Sequence, residues 1–448
     1  MGLGLNGGAL NDAKFLAKQG AILTITDIKT AEELKPSVDA LAGYENINYV
    51  LGEHRLEDFS AQGGPTSGGP DFVLQPGNVP LDSIYLAEAR KNNIPIFVSE
   101  SLFAYLAPEV QLVGVTGTRG KSTVTHLLYE ILKNGLNLPS GEVGRNSSGR
   151  KLFLGGNVRN VSTLALLEEI QAGDMVVMEL DSWALHGLGG IKKSPHLSVF
   201  TVFMDDHLNF YKGNRDLYLE DKAQIFLHQT TEDILIMGSQ AEPLVREKYE
   251  GQIKSKIVVP ASLPEDWQLK MPGEHNRYNA SLAVAAAREL GVSEEKIKEV
   301  VESFPGLPGR LEYLGEKNGI TYYNDNNATT PDGTIAAVKS FPNFKGKIIL
   351  LGGGADKELD FAEYAKVVPA YVKKFILFTG KATEKIKAVL SVGAEVVVVD
   401  SMATAFASAK AVAETGDMIL LSPGAASFGV FQNEYQRNDQ FVEVFGSL

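Results

Sequence analysis

The chain of 448 residues contains no cysteine. That removes disulfides, thiolate metal sites and cysteine nucleophiles together. No apolar run approaches the ~20 residues needed to cross a bilayer, and no charged-then-apolar leader opens the chain, so a cytoplasmic protein without membrane insertion is expected. Basic residues are in deficit, with 42 Lys and Arg against 55 Asp and Glu, for a formal net charge of −13. A general nucleic-acid binder is therefore not expected, since phosphate backbones reward basic surfaces. An anionic small ligand remains allowed, because it needs only a local basic pocket. Hydrophobic content of 44% and charged content of 22% are those of a soluble globular protein. The length exceeds one ordinary core and implies two to four domains.

Against those absences stands one dense stretch, Val113-Gly114-Val115-Thr116-Gly117-Thr118-Arg119-Gly120-Lys121-Ser122-Thr123. It reads as a strand, a glycine-rich loop and a helix beginning near Ser122. Backbone N–H groups and the positive end of a helix dipole would face a polyphosphate, with Lys121 adding a mobile full charge. Ser122 or Thr123 offers a hydroxyl to the magnesium that accompanies a nucleotide. The full Walker pattern fails, because Val115 stands where its first glycine belongs. The loop reads T-G-T-x-G-K-S-T.

The start of the chain, Gly2-Leu3-Gly4-Leu5-Asn6-Gly7-Gly8, precedes a helical stretch (9–19) and a strand (21–26) ending at Asp27. Alone this is a dinucleotide fingerprint, compatible with NAD, but only Met1 stands where a first strand should be. Either that strand was lost or the start is truncated. Strands at 71–74 and 94–98 complete a small α/β unit, and the Gly/Pro/Ser-rich stretch 61–70 reads as a surface loop. Continuous apolar runs at 175–179, 197–203, 234–237 and 257–259 imply a second, mainly parallel sheet covered on both faces. Pro305-Gly306-Leu307-Pro308-Gly309 is a helix-incompatible joint and the clearest boundary. Beyond it, short strands at 320–324, 347–351, 375–378, 395–399 and 418–421 alternate with helices, giving a third, doubly wound unit. The expected architecture is α/β in three domains, 1–106, 107–305 and 306–448.

From chemistry alone, the Asp205-Asp206-His207 cluster after the 197–203 strand lies where open α/β sheets place ligands. It reads either as a metal cluster or as a solvated loop. Lys222 reads as an ordinary helix lysine, and the Gly273–Ala280 stretch as a capped helix start.

The loop T-G-T-x-G-K-S-T is similar to the ATP loop of the Mur ligases and their relatives, the folylpolyglutamate synthases and cyanophycin synthetases. Those proteins join an amino group to a carboxylate at the expense of ATP. The three-unit order resembles the same family, and the resemblance implies a Rossmann-like first domain that holds a UDP-sugar instead of NAD. Leu5, Asn6 and Gly7 would meet the pyrophosphate, and Asp27 with Ile28 the uracil. Gly77 and Asn78, in Gln75-Pro76-Gly77-Asn78-Val79-Pro80, resemble the family's S-P-G-I loop. Asn157, in Gly155-Gly156-Asn157-Val158, resembles the G-N-I element that contacts the sugar-peptide.

In the central ATP-binding domain the resemblance assigns Gly117 to Thr123 to the phosphates and His207, from its D-H signature, to a second magnesium and the incoming amino acid. Tyr218-x-x-x-Lys222-x-x-Ile225-Phe226 resembles a pattern whose lysine is carbamoylated into an anionic magnesium ligand. Such a change needs a neutral amine, which burial close to cations supplies. Glu179-Leu180-Asp181-Ser182-Trp183-Ala184-Leu185-His186 resembles E-L-S-S-F-Q-L-E, with His186 where the metal-binding glutamate is expected. Imidazole suits magnesium poorly. Glu179 or Asp181 takes over, or His186 acts through water, or that site is weaker. The implied metal set for about two magnesium ions is Ser122, Glu179, His207 and Lys222. Asn276 and Asn279 would lie on the adenine side, Arg310 would reach the ATP phosphates and Asp325 the ribose. Gly309 and Asn327 replace the usual histidine and lysine.

The carboxy-terminal elements resemble the D-glutamate-adding members of the family. Lys357, after Leu351-Gly352-Gly353-Gly354, would pair the α-carboxylate beside Thr329. Ser427 would meet the side-chain carboxylate and Phe428 would also be substrate-binding; the aromatic wall expected at Glu434 stands at Tyr435 instead. The implied substrates are ATP, a UDP-N-acetylmuramoyl-L-alanine acceptor and D-glutamate, handled by a monomer. A ligase for another amino acid, a folate polyglutamylator, an NAD-dependent dehydrogenase and a non-catalytic UDP-sugar binder are the alternatives.

Overall fold

A computed structural model describes residues 1–5, 7–61, 69–136, 149–158, 161–390 and 394–448. The chain divides into two compact units, 1–262 with 279–300, and 263–278 with 301–448. Residues 1–262 and 279–300 of the first two expected domains lie in one unit, and 263–278 with 301–305 in the other. Among the described residues no helix is long and apolar enough to cross a membrane.

In the first unit, helix α1 (Gly8–Lys18) is followed by β1 (Leu23–Asp27) and β2 (Ile47–Leu51), which pair in parallel. A second parallel pair joins β3 (Val73–Leu74) to β4 (Ile96–Phe97). Gly2 N–H donates to Thr26 O at 2.6 Å, and the Met1 nitrogen lies 2.9 Å from Leu74 O. The opening residues therefore bond to β1 and to β3, where the sequence reading lacked a strand.

The larger sheet of this unit runs β10-β9-β8-β5-β7-β6, all parallel. Its strands are β5 (Gln111–Thr116), β6 (Leu152–Gly156), β7 (Met175–Glu179), β8 (Leu197–Phe200), β9 (Ile234–Met237) and β10 (Lys256–Val258). Every residue of β7, β8 and the inner part of β5 is buried, as expected for a parallel sheet covered on both faces. Helix α2 (Lys121–Gly135) leaves the β5 loop, α3 (Ser182–Gly190) follows β7, and α4 (Arg215–Ala223) precedes β9. Side chains cap two of these helices: Asp181 accepts Ala184 N–H at 2.8 Å and Asn214 accepts Asp216 N–H at 3.0 Å. β8 ends at Phe200, earlier than its apolar run suggests, because residues 201–204 leave the ladder to bond the phosphate loop.

The second unit holds a sheet of order β11-β12-β16-β13-β14-β15, where β11 (Glu312–Lys317) runs antiparallel to β12 (Ile320–Asn324). The remaining strands, β13 (Ile348–Gly353), β14 (Val372–Phe378), β15 (Val396–Val399) and β16 (Met418–Leu421), are parallel. Alternation along β13 divides the core. Ile348 and Leu350 join one apolar layer, and Ile349 and Leu351 the other. The residue ranges of the two units meet within helix α5 (Glu274–Glu289), and α6 (Glu434–Gly446) closes the chain with Asn433 capping Gln436 N–H at 2.9 Å.

Candidate active site

Two glycines shape the phosphate loop. Gly117 (φ 143°) and Gly120 (φ 84°) adopt backbone that L side chains rarely take. A Cβ at Gly117 would collide with Thr201 Oγ1, and one at Gly120 with Asn279 Oδ1. The loop is fastened to the segment after β8. Thr118 N–H donates to Val202 O at 2.7 Å, and the Thr118 hydroxyl donates to Met204 O at 3.1 Å while accepting Met204 N–H at 2.9 Å. Helix α2 begins at Lys121, so its first-turn N–H groups and positive dipole end face the loop, with Ser122 and Thr123 in that turn. An anion is the ligand this geometry favours.

Lys121 Nζ donates to Gly117 O at 3.1 Å and Thr118 O at 3.4 Å. Lys222, on α4 and 1% exposed, donates to the same Gly117 oxygen at 3.0 Å and to Thr116 Oγ1 at 3.4 Å. Burial, reinforced by the Lys121 charge, drives the Lys222 amine well below its ordinary pKa of 10.5. The neutral amine that carbamoylation requires is thereby favoured.

His207 follows β8 with φ 53°, its ring 4.8 Å from that of Trp183. Its Nε2 is 4.0 Å from Asp206 Oδ2, and its ring makes no hydrogen bond among the described residues. Burial lowers its pKa, Lys121 and Lys222 add to that, and Asp206 opposes. Arg119 Nη1 lies 2.6 Å from Asp206 Oδ2. Burial alone would raise Asp206, but Arg119 and His207 outweigh it and hold the carboxylate below its usual range. Glu179, at the end of β7, is 4% exposed, and its carboxylate accepts no hydrogen bond among the described residues. His186 is committed elsewhere. Its Nδ1 is 2.8 Å from Asp221 Oδ1, which raises its pKa, while Asp221 Oδ2 accepts the Tyr211 hydroxyl at 2.8 Å.

In the amino-terminal part of this unit, Asp27 Oδ2 accepts Leu3 N–H at 2.8 Å and Gly4 N–H at 3.1 Å, and Oδ1 accepts Lys29 N–H at 2.9 Å. Its carboxylate thus orders the glycine loop ahead of α1. Leu5 and Ile28 are exposed, Gly7 caps α1, and Asn6 lies outside the described residues. Gly77 and Asn78 follow β3. Asn157 is exposed after β6, its N–H donating to Glu179 O at 2.8 Å. Asn279 is buried against Gly120.

Within the second unit, Asn276 is buried and its Nδ2 donates to Pro272 O at 2.8 Å. Arg310 sits in a tight turn, its N–H reaching Leu307 O at 3.1 Å. Asp325 is buried, accepting Leu311 N–H at 3.2 Å and the Ser422 hydroxyl at 2.9 Å. Lys357 Nζ donates to Thr329 Oγ1 at 3.2 Å, so the two residues lie side by side. Ser427 is buried, whereas Phe428 and Tyr435 are exposed.

Residues 115–260 match the Mur ligase middle domain, and residues 309–424 match the Mur ligase, glutamate ligase domain. The UDP-N-acetylmuramoylalanine–D-glutamate ligase of Roseiflexus sp. (strain RS-1) is 35% identical over 484 aligned residues, which cover 100% of this chain and 98% of that protein. The chain belongs to the Mur ligase family. A ligase of the same description from Borreliella afzelii (strain PKo) is 34% identical over 472 residues, covering 100% of this chain and 97% of that one. The MurF ligase of Thermotoga maritima, solved in complex with ADP, shares the fold at a TM-score of 0.57 and 15% identity, covering 84% of this chain and 97% of that one.

Against the family pattern, two departures prove to be neighbours. Asn327 N–H donates to Gly309 O at 2.9 Å, and a Cβ at Gly309 would stand 3.3 Å from Asn327 Nδ2 and 3.2 Å from Asn438 Oδ1. A side chain at position 309 would need Asn327 or Asn438 to give way, so the two replacements form one packed unit. Three further residues, two in the first unit and one in the second, went unassigned in the sequence reading. Trp183 packs on His207, Asp221 holds His186, and Arg437 is buried with Nε 2.8 Å from Asn326 Oδ1 and Nη2 2.9 Å from Asn326 O. Arg437 ends the F-x-N-x-x-x-R run, which was its only signal. Nothing local marks Asp221.

Proposed function

We propose that the chain is an ATP-dependent ligase joining D-glutamate to UDP-N-acetylmuramoyl-L-alanine, a step of cytoplasmic peptidoglycan precursor synthesis. The observation that carries this reading is the phosphate loop with Lys121 and the buried Lys222 on one carbonyl oxygen, in a chain aligned end to end with ligases of that description. The reading includes three domains, 1–106 for the UDP-sugar, 107–305 for ATP and 306–448 for the amino acid, and a monomer as the working form.

The acceptor's carboxylate oxygen attacks the terminal phosphorus of ATP, giving an acyl phosphate and ADP. Lys121, the α2 amino terminus and Arg310 offset the developing phosphate charge. The D-glutamate amine, its ammonium proton lost to solvent, attacks the acyl carbon; the tetrahedral intermediate releases a second nitrogen proton to solvent, the C–O bond breaks, and phosphate leaves with its electron pair. Lys357 and Thr329 would take one carboxylate of D-glutamate and Ser427 the other.

Magnesium fits the residues present. Glu179 offers a buried carboxylate with no hydrogen bond and His207 an unbonded imidazole, whereas Lys222 suits a cation only as a carbamate. Ser122, Glu179, His207 and carbamoylated Lys222 would hold magnesium, which when bound neutralises phosphate charge. Glu179, not His186, is the magnesium ligand of choice, because Glu179 offers oxygen and His186 Nδ1 is taken up by Asp221.

The test is phosphate release from ATP and magnesium with UDP-N-acetylmuramoyl-L-alanine, across D-glutamate, L-glutamate, L-lysine and meso-diaminopimelate. Release with D-glutamate, lost in Lys121→Ala, is expected. Release only with a different amino acid would overturn the pocket reading, and no release with any would overturn the ligase.

A further inference from the structure

The Asp206 carboxylate has two commitments. Oδ2 pairs with Arg119, inside the phosphate loop, at 2.6 Å, and Oδ1 accepts the His207 N–H at 2.9 Å. His207 itself is held in left-handed backbone (φ 53°), a conformation that a non-glycine residue keeps only when its surroundings impose it. The turn beyond it helps, since His207 O accepts Phe210 N–H at 2.9 Å and Tyr211 N–H at 3.1 Å. The bonds between Thr118 and Met204 and from the Thr201 hydroxyl to Arg119 O are neutral and involve backbone atoms. The Arg119–Asp206 link differs in kind. It joins two charges, and both side chains keep about a third of their surface exposed, 33% and 30%.

A polyphosphate on the loop would therefore compete with Asp206 for the Arg119 guanidinium, whose planar fork suits phosphate as well as carboxylate. We propose that Asp206 is a positioning residue that couples the placement of His207 to occupancy of the phosphate loop through its ion pair with Arg119. When Arg119 turns to phosphate, Asp206 keeps its bond to the His207 backbone and its approach to the His207 ring at 4.0 Å, and the His207 turn and the Trp183 ring packed on it readjust. The free energy of the ion pair then appears as coupling between nucleotide and whatever binds at His207. This rests on the ATP site proposed above.

The chain has two tryptophans, Trp183 and Trp267, so protein carrying 5-fluorotryptophan gives two fluorine resonances, assigned with Trp183→Phe. Calorimetry measures binding of a non-hydrolysable ATP analogue with magnesium on the same samples. In the unsubstituted protein the analogue binds and shifts the Trp183 resonance. In Asp206→Asn the analogue still binds but the Trp183 shift is lost or strongly reduced; in Arg119→Gln the analogue binds more weakly, and at saturation the shift is likewise reduced. Arg119→Lys, which keeps the charge, restores most of the shift. A full Trp183 shift in Asp206→Asn, with nucleotide bound, would overturn the proposal while leaving the ATP site intact. Absence of analogue binding to the unsubstituted protein would instead overturn the ATP site, and this inference with it.

Discussion

Lys121 and Lys222 place their ammonium nitrogens on the same acceptor, the Gly117 carbonyl oxygen, at 3.1 and 3.0 Å. One carbonyl oxygen can accept from both, but burial first and repulsion from Lys121 second disfavour the charge on Lys222. Its amine is thus shifted toward the neutral form.

Replacing Lys222 with methionine leaves no orphan, since Gly117 O keeps Lys121 and the Thr116 hydroxyl keeps Leu180 O at 2.7 Å. In bicarbonate-free buffer at neutral pH the variant is expected to be more stable by about 1 kcal/mol or more. Because the folded-state pKa of Lys222 is depressed, the unfolded chain binds the extra proton, and native stability rises with pH up to the ordinary value near 10.5. Lys222→Met flattens that slope, as urea titrations across pH would show. A carbamate signal from labelled bicarbonate should vanish along with ligase activity.

Gly120→Ala places a methyl against Asn279 Oδ1 at φ 84°. The expected cost is about 1–2 kcal/mol of stability from backbone strain alone. Nucleotide affinity should fall by at least about tenfold, the worth of a ~1.4 kcal/mol loss. Calorimetric titration and thermal melts of the variant would separate the two effects.

Burial pushes Asp325 up to about 7, against the Ser422 hydroxyl, the Leu311 N–H and Arg310, which favour the charged form. The folded value lies above the ordinary 3.8, so the unfolded chain releases its proton first as pH rises. Stability contributed at this site therefore falls between those two values and levels off above the higher one. Asp325→Asn can keep Leu311 N–H on its oxygen and donate to Ser422, whose hydroxyl lies 3.2 Å from Thr334 Oγ1. The variant should lose less stability than the native chain between pH 5 and pH 8, measured by denaturation midpoints.

Arg437 is fully buried, with its pKa lowered by burial to about 10, and it bonds Asn326 Oδ1, Asn326 O and, at 3.4 Å, Ala425 O. Arg437→Met leaves those acceptors without donors and should destabilise the second unit by about 2–4 kcal/mol. Arg437→Lys should recover little, because one ammonium cannot supply parallel donors to both Asn326 oxygens. A variant as stable as the native chain would show that the guanidinium is dispensable there.

Much of the fold was legible along the chain. Met175–Glu179, Ile234–Met237, Ile320–Asn324 and Met418–Leu421 are strands with the bounds the sequence suggested; all but Ile320–Asn324 are buried almost throughout, and a strand buried on both faces needs no polar alternation. Glu312–Lys317 escaped notice. It is a mostly half-buried edge strand paired antiparallel to its neighbour, and its polar residues satisfy no apolar pattern. Ile47–Leu51, two of its residues exposed, escaped for a similar reason.

By itself, the sequence determined the phosphate loop, since glycines at 117 and 120 and a helix starting at Lys121 are local backbone preferences written within a few residues. Tertiary structure alone decided the charges around it. Lys222 reaches Gly117 from 105 positions away, and Asp221 claims His186 across 35. Burial and proximity to other charges set the state of an ionisable group, and both arise only when distant segments of the chain pack together.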